Sequence, residues 1–143
     1  MAGRRLTAGT LVLDSEGLSK LADGDPRARA YLETAGLRRA RAMVSAVTLA
    51  EVLRGSPRDA LVHRVLSRVL VMPVTAEIGC AAGKLLGVTG LSGHRCAIDA
   101  VVAATALLAA RPVVLLTSDP NDLGRLVEEP GCAKDNRVVV VHV

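Results

Sequence analysis

Four acidic side chains stand apart from their surroundings in this sequence. Asp14, Glu51, Asp99 and Asp119 each interrupt or terminate a dense apolar segment, a property that the other acids largely lack. Carboxylates that converge in a partly buried cleft repel and raise one another's pKa, so their convergence needs a counter-ion. Mg²⁺ or Mn²⁺ meets that need, because it takes carboxylate and water oxygens, polarises a phosphodiester, deprotonates a bound water and stabilises the leaving oxygen. Such chemistry requires no histidine, and His63, His94 and His142 form no obvious constellation.

Each acid taken singly also has a structural explanation. Asp14 can serve as an N-cap. Thr48-Leu49-Ala50-Glu51 matches a capping box, and Asp99 falls near an expected helix start, where the dipole favours it. Asp119-Pro120-Asn121-Asp122 has the form of a cap with proline at the first helical position. The two readings are compatible, since a helix N-terminus both accepts a carboxylate and keeps it ionised for a metal.

Hydrophobic periodicity supplies the elements that would position the acids. Buried strands are expected at 10–13, 112–116 and 138–141, short strands at 42–45 and 71–74, and helices at 16–23, 26–39, 48–55, 76–88 and 97–110. A further helix from Pro57 turns Leu61, Val62, Val65, Leu66, Val69 and Leu70 inward and Arg58, Arg64, Ser67 and Arg68 outward. Within 97–110 Asp99 is the only charged residue, so that helix is buried or forms half of an interface. Strands alternating with helices argue for a mostly parallel sheet covered on both faces, whose carboxyl edge brings strand ends and helix starts together. Four carboxylates could meet there.

The composition bounds the rest. A chain of 143 residues has room for one domain, and with half its residues apolar and 22% charged it has a real core. An aromatic content of 1%, Tyr31 alone, excludes modules that stack bases on rings. The net charge of +4 favours a polyanionic partner without identifying it. Cys80, Cys96 and Cys132 are too few and too scattered for a disulfide framework, and no run of apolar residues is long enough for a membrane span or a signal peptide. A soluble cytoplasmic protein is expected.

At the level of motifs the sequence resembles the PIN-domain ribonucleases. The likeness rests on Leu11-Val12-Leu13-Asp14-Ser15 with Leu18, on Ser45 through Gly55, on Ala97-Ile98-Asp99-Ala100 with Ala103 to Ala106, and on Leu116 through Leu123. It spans nearly the whole chain and is nearest to the VapC-type toxins of bacterial toxin–antitoxin pairs. The resemblance implies a three-layer α/β/α fold with a central mostly parallel sheet, forming one domain over 1–143, with residues 1–8, including Arg4 and Arg5, as a flexible basic tail. It also implies endonucleolytic cleavage of RNA with Mg²⁺ or Mn²⁺, a homodimer, and inhibition by a small antitoxin covering the pocket. By this likeness Asp14 and Asp99 are direct metal ligands, Asp119 completes the site, Glu51 holds metal-bound waters or a second ion, and Asp122 is a further acid.

Substrate contacts are expected from Ser15, Thr117 and Ser118, of which Thr117 or Ser118 would position the attacking water. Arg54 and Arg95 are candidate phosphate contacts, as are Arg64 and Arg68. Glu16 departs from the family pattern, and would either add charge to the pocket rim or face solvent. A non-catalytic RNA- or protein-binding module on the same scaffold is the main rival. A phospho-acceptor domain ranks lower, since Lys84 and Lys134 are poorly placed for it. The His94-Arg95-Cys96 cluster lacks a second Cys or His at zinc-site spacing.

Overall fold

The computed structural model describes residues 9–143, and the expected basic tail lies outside them. Five strands, β1 (Thr10–Leu13), β2 (Arg41–Ser45), β3 (Leu70–Met72), β4 (Val113–Thr117) and β5 (Val139–His142), form one parallel sheet in the order β3-β2-β1-β4-β5. Seven α-helices connect them: α1 (Ser15–Ala22), α2 (Pro26–Leu37), α3 (Ala46–Val52), α4 (Asp59–Leu66), α5 (Ala76–Thr89), α6 (Gly93–Leu107) and α7 (Pro120–Leu126). The three-layer α/β/α fold is therefore as the sequence implies.

Alternation along the strands builds two cores. Val12 of β1 and Leu115 of β4 face a cluster completed by Ile78 and Ala82 of α5, Ala100 and Ala103 of α6, and Leu123 and Leu126 of α7. Their neighbours Leu11, Leu13 and Leu116 face the opposite side, against Leu18 and Leu21 of α1, Ala28 and Ala35 of α2, and Val62 of α4. A strand buried on both faces has no polar position to spare, which explains why β1 and β4 appear in the sequence as continuous apolar runs.

Several boundaries differ from expectation, among them the ends of α3 at Val52 and α6 at Leu107, and Leu70, expected in a helix, lies in β3. The third helix starts at Ala46, capped by Ser45, whose hydroxyl accepts the Val47 N–H at 3.4 Å. Thr48 is thus inside the helix, the Thr48–Glu51 capping box does not form, and Glu51 is the last residue but one of α3. Helix α6 begins four residues earlier than expected, at Gly93, with Ser92 at the cap position but making no side-chain cap hydrogen bond. Asp99 therefore lies nearly two turns into the helix, beyond the reach of the dipole at its start. Helix α2 stops at Leu37, and Arg39 takes a left-handed conformation with φ of 56° on the way into β2. Leu61 and Leu70, expected inward, are exposed at 46% and 44%, because α4 is short and β3 is an edge strand.

One glycine holds a helix against the sheet. A Cβ on Gly17 would stand 2.8 Å from the backbone carbonyl oxygen of Leu116, so α1 approaches β4 more closely than any side chain allows. Gly83 in α5 meets nothing within 4 Å. Gly17→Ala is accordingly expected to lower stability in urea unfolding by about 2 kcal/mol or more, from overpacking. Gly83→Ala should raise it by roughly 0.5–1 kcal/mol through helix propensity. Equal effects of the two substitutions would contradict the close approach.

Candidate active site

The strand order places a topological switch point between β1 and β4: one connection leaves β1 toward β2, and β4 returns to its other side. Crevices at the carboxyl ends of strands at such points bind ligands in open α/β sheets. In-register pairing of β1 with β4 ends at Leu13 opposite Leu116, which sets Asp14 beside Thr117. The Asp14 N–H donates to the Leu116 carbonyl at 3.2 Å and continues the ladder by one step.

Asp14 is 7% exposed and caps α1, with Oδ1 accepting the Gly17 N–H at 2.7 Å. Burial pushes its pKa from 3.8 up to about 6, hydrogen bonds from Thr117 and Gly17 pull it back, and the charges of Asp99 and Glu16 add to the rise. Glu16 is exposed yet close enough to act on Asp14, so its place is on the pocket rim. Asp99, half-buried on α6, also titrates above the ordinary carboxylate range, first through burial and then through Glu51, Asp122 and Asp119. Asp119 is exposed and caps α7 as expected, accepting the Asn121 N–H at 3.3 Å.

Asp14, Asp99, Asp119, Glu51 and Asp122 therefore share one electrostatic neighbourhood, although they come from both ends of the chain. Among the described residues no three His, Cys, Asp or Glu side chains stand close enough to enclose an ion. The acids face one another at Coulombic rather than ligating range. Their donor set is oxygen only, which fits a hard divalent cation and not a soft one.

The neutral and basic candidates divide differently. Thr117 is fully buried; its hydroxyl accepts the Asp119 N–H at 3.0 Å and lies 3.2 Å from the Asp119 carbonyl, so it orients Asp14 and Asp119 rather than presenting itself to a substrate. Ser15 and Ser118 are half-buried beside the two caps. Arg54 is exposed, and its guanidinium donates to the carbonyls of Ala50 at 3.3 Å and Leu53 at 2.8 Å, capping α3. Arg95 is exposed in the first turn of α6, one turn before Asp99. Arg64 and Arg68 line a groove of about 210 Å³ against Leu21, Ala22 and Gly24, at the far end of α1 from Asp14. At about 1.5 Å per residue this eight-residue helix separates them from the acids by roughly 12 Å.

One further neighbour was missed from the sequence. The Cys96 thiol, buried on α6, points at Asp122 Oδ2 at 3.9 Å, and its pKa is raised by burial and by Asp122 and Asp99. The i, i+3 relation of Cys96 to Asp99 was its only signal, visible once the helix is known to begin at Gly93.

The comparisons agree with this architecture. The family model for the PIN domain matches residues 11–127. A structure of VapBC2 from Rickettsia felis bound to a DNA fragment from their promoter superposes with a TM-score of 0.67 at 16% identity, covering 92% of this chain and 98% of that one. DNA-bound VapBC from Salmonella typhimurium gives 0.62 at 19% identity, with 92% and 97% covered. A toxin–antitoxin complex from Klebsiella pneumoniae gives 0.60 at 23% identity, with 78% and 88% covered. No curated protein matches the sequence.

The raised pKa of Asp14 has a defined thermodynamic sign. The native state binds this proton more tightly than the unfolded chain does, so stability falls as pH rises from about 3.8 to about 6 and the penalty is complete above that. Asn at position 14 keeps the cap and removes the charge. Asp14→Asn is expected to stabilise the metal-free protein by on the order of 2–3 kcal/mol at pH 8. Denaturation at pH 3.5 should show that advantage gone; an advantage independent of pH would mean the carboxylate is not strained by its burial.

Proposed function

The chain belongs to the PIN domain family, and on that premise we propose that it is a Mg²⁺- or Mn²⁺-dependent endoribonuclease, acting in the cytoplasm as the toxin of a toxin–antitoxin pair. The observation that carries this reading is the gathering of Asp14, Asp99, Asp119, Glu51 and Asp122 at the switch point, with Asp14 and Asp99 titrating high because burial and like charge are uncompensated. A divalent cation supplies that compensation and, when bound, Lewis-acid stabilisation of a phosphodiester and an acidified water.

In this reading Asp14 and Asp99, the two most desolvated acids, hold the ion directly, and Asp119 completes the site. Glu51 would hold metal-bound waters or a second ion, and Asp122 would be a further acid of the site. The Gly17 N–H and Thr117 hydroxyl keep Asp14 aimed and ionised, since both hydrogen bonds favour the charged form. Ser15 and Ser118 flank the scissile phosphate, Ser118 holding the attacking water. Arg54 and Arg95, both exposed, meet neighbouring phosphates of the RNA. Cleavage leaves a 5′-phosphate and a 3′-hydroxyl.

The partners in this reading are a second copy of the chain and a small antitoxin. The groove beside α1 supports the latter: its floor is apolar, with Leu21, Leu32, Leu61 and Val65, and its rim carries Arg29, Arg64 and Arg68. An acidic amphipathic segment complements that surface. Among the described residues no helix is long and apolar enough to cross a membrane.

The test is cleavage of structured RNA, with DNA of the same sequence as control. Cutting is expected with Mg²⁺ or Mn²⁺, to stop with EDTA, and to fall by about a hundredfold or more in Asp99→Asn, several kcal/mol of transition-state stabilisation. Circular dichroism should show that variant folded. Undiminished cleavage in both Asp14→Asn and Asp99→Asn would sink the proposal, and saturable RNA binding without cleavage would favour the binding-module reading.

A further inference from the structure

Buried hydroxyls in this fold are otherwise accounted for. Thr10 donates to the Ala110 carbonyl at 2.8 Å, Thr105 to the Val101 carbonyl at 2.8 Å, Thr117 is bound to Asp119, and Ser45 caps α3. Thr48 is the exception. It is 0% exposed, and among the described residues its Oγ1 is the one buried side-chain oxygen or nitrogen without a hydrogen-bond partner. An orphaned hydroxyl is unfavourable, and valine would fill the same volume without it. A polar atom kept in such a place needs an explanation.

Its place on α3 supplies one. Leu49, Val52 and Leu53 pack on the α1 side of the sheet. At about 100° per residue Thr48 falls between that apolar stripe and Glu51, on the flank that carries the Glu51 charge toward Asp99. Thr48 and Glu51 are three residues apart, hence neighbours on one helix face, and side chains in helices lean back over the preceding turn. The Glu51 side chain is therefore within reach of the Thr48 hydroxyl along one face of α3. The Glu51 charge acts on Asp99, and two like charges on neighbouring helices do not draw together without a counter-ion.

We propose that Thr48 is a positioning residue of the acid pocket: once a divalent cation relieves the repulsion, its buried hydroxyl donates to one oxygen of Glu51 and leaves the other oxygen facing the ion. The inference rests on the proposed metal-dependent function and adds a residue to it. It also explains why α3 begins two residues early, since a helix capped at Thr48 would spend this hydroxyl on its own backbone.

The test uses the full chain, metal-free and with Mn²⁺. Thr48→Val is expected to raise the unfolding midpoint of the metal-free protein, because an orphaned hydroxyl is removed, and to weaken Mn²⁺ binding in calorimetry by roughly tenfold or more, the scale of a hydrogen bond to a charged group. Thr48→Ser should restore binding to near the parent level. In a Glu51→Gln background the effect of Thr48→Val on Mn²⁺ affinity should shrink to less than about twofold, since the two residues act as a pair. A destabilised metal-free Thr48→Val, or Mn²⁺ affinity unchanged by it, overturns the proposal; so does an undiminished effect in the Glu51→Gln background. If the parent protein itself gives no saturable Mn²⁺ heat, the metal-dependent reading fails first, and Thr48 falls with it.

Discussion

Repulsion among carboxylates at the carboxyl edge of the sheet is the constraint around which this molecule is arranged. Asp14 carries the further cost of burial: it is 7% exposed, and desolvation first, with like charge adding to it, carries its pKa to about 6. Nothing about burying a carboxylate helps a protein fold. The structure offsets the penalty with two hydrogen bonds, from the Gly17 backbone and the Thr117 side chain, and leaves the rest uncompensated. Strain of this kind is stored in charge instead of backbone geometry, and on the function proposed above a counter-ion would relieve it.

The scaffold that tolerates the strain is apolar on both faces. Alternate residues of β1 and β4 serve different cores, so shifting either strand by one residue would exchange the two sets and misplace Asp14 and Thr117 together. The register that packs the cores therefore also aligns the site. Gly17 plays the same double part: its missing side chain lets α1 reach β4, and its N–H then meets Asp14.

Much of this was legible in the sequence, for identifiable reasons. All five strands were legible as short apolar runs with sharp ends, β1 and β4 because they are buried on both faces, although β3 and β5 lie exposed at the sheet edges. The acids stood out because each broke such a run. The caps at Asp14 and Asp119 were legible because local chemistry decides them. What escaped depended on tertiary context. Ser45 and Thr48 are both good N-caps, and only burial of Thr48 decides against it. Gly93 is a poor helix former, so the early start of α6 owes to packing against α5 and to no local preference. Leu61 was placed by periodicity on an inner face that a two-turn helix beside an edge strand cannot fully cover. Cys96 stood in the sequence only as a scattered thiol, because its approach to Asp122 depends on how α6 packs on α7.

The order of strands along the chain differs from their order in space, and this matters during synthesis. β1, β2 and β3 can associate as soon as they leave the ribosome, but the other flank of β1 stays unpaired until β4 arrives, after α5 and α6. An unfinished chain thus carries an open hydrogen-bonding edge and only Asp14, Glu51 and Asp99 of the five acids. Asp119 and Asp122 arrive with the segment that closes that edge, so a ribosome-bound fragment that stops before β4 lacks both the finished sheet and the finished charge cluster, and the β4–α7 segment governs when the two appear.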